Sequence, residues 1–357
     1  RFCFVLSPFE NGISWRRAAG CFWIAHILNL QCTVSARQND ALTHSTIPPS
    51  METITRDILY GDLKFLGRPG VIATAVLQSP GGVALIDPGP SSCLDTLRAS
   101  LTGHGISLSD VRALLLTHIH LDHAGATGSI VKENPEIDVY VHEVGAVHMA
   151  DPAKLLASAA RLYGAEMDRL WGEFLAVPER NLRRLSGGER ITVGDRELDV
   201  AYTPGHASHH VAYFDSASGL AFVGDTAGVR VGKELFSMPP TPPPDIDIDK
   251  WKQSIELIRA RRPSTLFITH FGPHEDPDAH LDAVLEHLDA MTEIARRHLE
   301  RDEDDSVRMQ GFAEEIRVYI LRHVSPNTAA QYDSAAPFKM CWLGLARYWK
   351  KRGVGAP

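Results

Sequence analysis

Leu114-Leu115-Leu116-Thr117-His118-Ile119-His120-Leu121-Asp122-His123-Ala124-Gly125 is the stretch on which the reading of this chain turns. Its leucines end an apolar run that a folded chain must bury, and residues 112–116 read as a short strand. Three imidazoles and a carboxylate then fall within six positions, 118 to 123. The same arrangement recurs three times downstream. Ala201-Tyr202-Thr203-Pro204-Gly205 runs into His206, Ala221-Phe222-Val223-Gly224 into Asp225, and Leu266-Phe267-Ile268-Thr269 into His270. Each polar residue follows a buried run, so all are expected to leave one edge of a sheet and face a shared crevice.

Outward from these strand ends, strand-like and helix-like runs alternate from about residue 56. Residues 71–77 and 83–86 read as strands joined by a turn at Pro80-Gly81-Gly82, and residues 91–100 as a helix after the Asp87-Pro88-Gly89-Pro90 turn. A helix starts within 123–132 and a strand spans 137–141. Residues 152–174 carry a helical stripe of Leu155, Leu156, Ala159, Leu162 and Tyr163. Further strands are expected at 196–202, 211–214, 220–223 and 265–268, with a proline-rich loop at 238–244 and a helix at 249–260. Only helical patterns follow Pro277, at 280–299, 307–323 and 338–350. This order predicts an α/β core with a helical C-terminal appendage.

Seven imidazoles and carboxylates gathered near a core would cost several kcal/mol each if left unpaired, roughly 2–7 for a single unpaired polar group. Divalent cations resolve this. A zinc ion takes about four N or O ligands, so seven ligands suit two ions sharing one carboxylate. Side chains two apart in an extended segment point the same way. His118 and His120, with His206, are therefore expected on the first ion, and Asp122, His123 and His270 on the second, with Asp225 bridging. Singly, Asp225 reads as a turn residue and Asp122 as a helix N-cap. Their density is what points to a metal site.

The motifs Thr117–Gly125, Thr203-Pro204-Gly205-His206, Gly224-Asp225-Thr226 and Thr269-His270-Phe271-Gly272 resemble those of the metallo-β-lactamase-fold hydrolases, in the glyoxalase II-like style. The resemblance covers roughly residues 56–275. It implies a four-layer αββα sandwich of two mixed sheets with helices outside and a dinuclear metal site along one edge. Val141-His142-Glu143, the helix after Asp151-Pro152 and residues 238–244 look further like a little-characterised hydrolase branch of that family. Asp87 matches a position where relatives carry an aspartate behind the ligands; by itself it also reads as a turn former.

Departures from the relatives narrow the expectation. No cysteine stands among the ligands and Asp225 is present, unlike the lactam-hydrolysing enzymes. His120 stands where the flavodiiron relatives carry Glu, and the glutathione-contacting Arg/Lys pattern of glyoxalase II is not evident. The implied activity is dinuclear hydrolysis of a small ester, thioester or lactone by a metal-bridging hydroxide. Asp122 is the candidate to orient that hydroxide and pass its proton on. The expected cofactors are two divalent ions, zinc first, with iron or manganese tolerated by the same ligands. The alternative is a one-iron oxidoreductase like the persulfide dioxygenase relatives. His210 and His142 are secondary candidates for the pocket wall. Residues 152–174, 238–244 and the C-terminal helices are candidates to roof the crevice.

Composition fits these expectations. The 357 residues are 44% hydrophobic and 22% charged, an ordinary globular mixture. Acidic residues outnumber basic ones, 44 to 36, for a net charge of −8, so no global positive field draws in nucleic acid or an anionic membrane. The partner is a small-molecule substrate, with homodimerisation left open. Five cysteines without a CxxC pair suggest neither a disulfide framework nor a cysteine zinc knuckle. Three parts are expected: an N-terminal extension at 1–50 that is disordered, a signal or not native, a metal-binding domain at 51–275 and a helical region at 276–357. The expected location is the cytoplasm, or outside it if the basic and apolar run at 16–36 acts as a secretion signal.

Overall fold

The computed structural model describes residues 4–7, 14–17 and 51–355. Strands β1 (Phe4–Ser7) and β2 (Ser14–Arg17) pair antiparallel as a two-stranded sheet by themselves. The rest of the N-terminal fifty residues, with most of the signal-like run, lies outside the described residues. Pro48–Pro357 form one compact unit.

That unit holds two sheets. The first has seven strands in chain order: β3 (Met51–Thr55), β4 (Ile58–Asp62), β5 (Ala73–Ser79), β6 (Gly82–Ile86), β7 (Val111–Leu115), β8 (Asp138–His142) and β9 (Leu182–Leu185). Its first four strands form an antiparallel meander, and the step from β6 onward is parallel. The second has six: β10 (Arg190–Val193), β11 (Arg196–Tyr202), β12 (Val211–Asp215), β13 (Leu220–Phe222), β14 (Thr265–Ile268) and β15 (Gly272–His274), antiparallel except for the β13–β14 pair.

Side-chain alternation sets the layers. In β12, Val211 and Tyr213 point into the core between the sheets, where they meet Ala75, Ile86, Leu115 and Phe267, while Ala212 and Phe214 point outward. In β7, Ala113 and Leu115 face inward and Leu114 faces helices; Val111, which precedes a shift of register against β6, joins the helix side as well. Strands buried on both faces read as continuous apolar runs, as these do.

On the outer face of the first sheet lie α1 (Leu94–Gly103), α2 (Leu121–Ala124), α3 (Thr127–Glu133) and α4 (Glu143–Ala150), with α5 (Ala153–Tyr163) and α6 (Met167–Trp171) packed against the same core. The second sheet's outer face is covered by α7 (Ile248–Ala260), α8 (Pro277–Leu299), α9 (Asp305–Ile320), α10 (Pro326–Ala335) and α11 (Phe338–Lys350). The result is the expected αββα sandwich with a C-terminal helical region.

That helical region shares its core with the second sheet. Trp342 and Phe312 are fully buried in the cluster that holds Trp251 and Phe236. The apolar stripe of α11 is core. No helix among the described residues is long and apolar enough to cross a membrane.

Helix α11 approaches the proline-rich loop through a glycine. A Cβ on Gly344 would lie 2.0 Å from the Thr241 carbonyl oxygen and 2.9 Å from the Pro242 carbonyl carbon. Backbone cannot yield as a side-chain tip can, so Gly344→Ala is expected to lower stability by about 1–3 kcal/mol, the usual range for overpacking. The midpoint of urea unfolding checks this.

Candidate metal centre

The strand ends deliver the seven residues to one place. The loop after β7 carries His118 and His120, and α2 carries Asp122 and His123. The loops after β11, β13 and β14 carry His206, Asp225 and His270. Their ligand-capable atoms fall into overlapping groups: His118 with His120 and His206, His118 with His123 and Asp225, and Asp122 with His123 and His270.

In the first group, His118 Nε2 and His206 Nε2 each lie 2.9 Å from His120 Nδ1. In the third, Asp122 Oδ2 lies 3.3 Å from His270 Nε2 and 3.9 Å from His123 Nε2. Asp225 stands between them with its oxygens divided. Oδ2 faces His206 Nε2 at 3.4 Å, while Oδ1 faces His123 Nε2 at 3.3 Å and His270 Nε2 at 3.6 Å.

The opposite ring nitrogens fix the tautomers. His206 Nδ1 donates to the Pro240 carbonyl at 2.9 Å, and His270 Nδ1 to the Val71 carbonyl at 2.7 Å. His123 Nδ1 donates to Asp87 Oδ2 at 2.8 Å. The Thr117 hydroxyl gives its proton to Asp87 Oδ2 at 2.7 Å, so it accepts from His118 Nδ1 at 3.1 Å. When these four rings are neutral the proton sits outside and the Nε2 lone pair faces inward, the state a metal-binding imidazole needs.

Buried His123 Nε2 and Asp225 Oδ1 have no hydrogen-bond partner. Unsatisfied acceptors of this kind, converging from several loops, fit divalent cations.

Electrostatics agree. Burial, joined by the neighbouring imidazoles, holds His118 well below the ordinary histidine range, and burial with His206 holds His120 at about 3. Both are neutral and free to bind a cation at neutral pH. Burial alone would lower His123 and His270, but Asp225 and Asp122 outweigh it and raise both. Burial would likewise raise Asp122, yet His123 and His270 bring it down to about 2. A cation entering the group of Asp122, His123 and His270 therefore takes the place of protons.

Behind these ligand candidates, Asp87 is fully buried. Its carboxylate accepts from the Thr117 N–H at 2.8 Å, the Thr117 and Thr269 hydroxyls at 2.7 Å each, and His123 at 2.8 Å. It serves both as the turn former and as the anchor that the sequence suggests.

Two secondary candidates lie elsewhere. His210 is sealed behind His118, its Nδ1 at 2.8 Å from the Thr203 hydroxyl, and His142 caps α4 and stacks on Tyr202 at 4.5 Å. Instead, His209 and His148 line the cavity over the site. Sequence reasoning missed both. The adjacent pair His209-His210 was the available signal, but without coordinates nothing says which of two neighbours on a turn faces inward. A further group, His274, Asp276 and His280, surrounds the guanidinium of Arg230, which lies 3.1 Å from Asp276 and 3.3 Å from His280. A cation already sits there.

The fold and the paired His/Asp triads define the class. Residues 67–270 match the family model of the metallo-beta-lactamase superfamily, and the chain belongs to that family. Among curated proteins it is 30% identical over 146 residues to a hydroxyacylglutathione hydrolase of Thermosynechococcus vestitus, covering 41% of this chain and 44% of that one. Among solved structures, a metallo-beta-lactamase family protein of Thermus thermophilus shares the fold at a TM-score of 0.58 and 22% identity, over 79% of this chain and 89% of that one. An archaeal superfamily protein from Sulfolobus tokodaii does so at 0.57 and 21%, over 82% and 98%. The chain spans about half the length of the first curated relatives it matches.

Two outcomes follow from this geometry. Asp87→Asn keeps the side-chain shape but removes the charge that His123 and the two threonines share, and should weaken metal binding about 10–100-fold, as such supporting partners do. Asp225→Ala removes the carboxylate that faces both groups and should leave neither ion tightly held after dialysis. Metal titration and elemental analysis read both.

Proposed function

We propose that the protein is a dinuclear metal-dependent hydrolase of a small ester, thioester or lactone. The observation that carries this reading is the division of the Asp225 oxygens between two groups of inward lone pairs. The proposed first site is His118, His120 and His206, and the second is Asp122, His123 and His270, with Asp225 common to both. Zinc is the proposed metal, since the set is imidazole and carboxylate without thiolate; iron and manganese accept the same ligands. When bound, a pair of divalent cations supplies a Lewis acid for the scissile carbonyl and water of lowered pKa.

The remaining roles belong to the chain. Asp122 keeps 24% of its side chain exposed, against 5% for Asp225, and lines the cavity. It is the proposed catalytic residue: it orients the attacking water and moves its proton to the leaving group. His206 and His270 are held by backbone carbonyls from Pro240 and Val71, which fixes the ring planes against which the substrate is aligned. The one-iron oxidoreductase alternative would leave the group of Asp122, His123 and His270 without a cation.

Elemental analysis should return about two divalent ions per chain, and a panel of activated thioesters, esters and lactones should reveal turnover. Asp122→Asn should lower kcat by about 10²–10⁴, the usual contribution of a positioned acid or base, while binding at His118, His120 and His206 changes far less. Loss of the second ion together with turnover would assign Asp122 to metal retention alone.

A further inference from the structure

The edge that carries the triads opens into a cavity of about 330 Å³, whose floor includes His120, Asp122, His206 and His270. Its walls come from three segments outside both sheets. Helix α5 gives Leu155, Ala159, Leu162 and Tyr163, the proline-rich loop gives Pro240, Pro242, Pro243 and Pro244, and α11 gives Met340 and Cys341. Phe65 and Trp171 add an aromatic wall, and His148 and His209 also reach the lining; the two aromatics stack at 5.5 Å, and Tyr163 meets Trp171 edge-on at 5.1 Å. The aromatic wall is therefore a packed surface of defined shape. Contiguous apolar surface left open beside a polar floor marks a ligand site rather than a packing fault.

Charge narrows the ligand. Away from the floor, the lining offers one lysine, Lys154, and one carboxylate, Asp245. A ligand with several carboxylates, such as a peptidic thiol conjugate, would meet a single cation and a repelling aspartate. A hydrocarbon chain meets leucine, proline and aromatic carbon.

We infer that this cavity receives the apolar acyl chain of a thioester whose carbonyl lies over the triads. The inference rests on the hydrolase reading above and names its substrate class. The reaction consumes one water: its oxygen forms the new C–O bond to the acyl carbon, the C–S bond breaks, and the products are a fatty acid and a thiol that takes up the remaining proton. Asp122 is the carrier of that proton.

The test uses the full chain loaded with zinc and a series of S-acyl thioesters of N-acetylcysteamine, a neutral thiol, from acetyl to decanoyl. Burial of each methylene is expected to raise kcat/KM about fourfold until the cavity is filled, the fold-change set by the transfer free energy of one CH₂. Ala159→Phe places a ring inside that volume and should move the optimum to shorter chains. In parallel, calorimetry should show decanoate binding at least tenfold more tightly than acetate to the loaded protein. A kcat/KM that is flat or falls from acetyl to decanoyl, or equal binding of the two acids, overturns the inference while leaving the hydrolase reading intact. Chain-dependent binding without hydrolysis of any thioester would uphold the cavity assignment and sink the hydrolase reading instead.

Discussion

Asp87 holds a charge where the molecule has no water to offer it. The carboxylate is fully buried at the end of β6, and burying an ion without compensation costs far more than a domain's net stability. Four donors compensate it: the Thr117 N–H, the Thr117 and Thr269 hydroxyls, and His123 Nδ1. Thr117 follows a strand of the first sheet and Thr269 a strand of the second. One side chain thus ties the two sheets at the edge where the metal-ligand candidates emerge, and its donors are one such candidate and the residues just before two others. Asp87 adopts φ 49°, a left-handed conformation that Asp tolerates better than most residues. The backbone turn and the anchor are the same requirement met twice.

Helix α7 performs a matching task from the other side. A Cβ on Gly205, whose φ is +139°, would lie 2.3 Å from the Trp251 Cα, so the loop before His206 lies directly on this helix. Trp251 Nε1 donates to the Thr226 carbonyl at 2.8 Å, and the Ser254 hydroxyl to the Pro204 carbonyl at 2.6 Å. The loops carrying His206 and Asp225 are therefore clamped by backbone contacts to one helix. Ligand positions that depend on packed backbone move little, and that rigidity is what a preorganised metal site needs.

What could be read from sequence follows from how each feature is encoded. Strands buried on both faces, such as β7 and β14, announce themselves as apolar runs, and the polar residues just after them mark the sheet edge. The α/β core and the convergence of the seven ligand candidates follow from that local pattern, whereas the four-layer sandwich is implied by the resemblance of the motifs to a known family. Edge strands do not announce themselves: β9 reads Leu182-Arg183-Arg184-Leu185, and β15 is only Gly272-Pro273-His274. Their pairing comes from neighbours distant in sequence. The four helices α8 to α11 are mostly visible as periodic stripes, except α10, whose Pro326–Ala335 sequence has only Ala329 and Tyr332 buried. The choice of His209 over His210 as the residue facing the cavity depends on a turn's direction, which no periodicity encodes.

The C-terminal helices explain how a common metal edge acquires a particular mouth. The Tyr332 hydroxyl donates to the Phe236 carbonyl at 2.6 Å, and the Thr241 hydroxyl donates to the Cys341 carbonyl at 3.2 Å. Helices α10 and α11 thereby hold the segment that runs from Phe236 to the prolines, and Pro240 in that segment accepts from His206. The chain of contacts leads from the appended helices through the loop to a metal-ligand candidate. A proline-rich loop loses little conformational entropy when it is fixed, so it suits a wall that must keep its shape with few hydrogen bonds of its own. The sandwich supplies the ligand candidates, and the segments added to it set both the orientation of His206 and the apolar surface above it. The setting of His206 and the shape of the apolar wall are coupled here through one stretch of backbone.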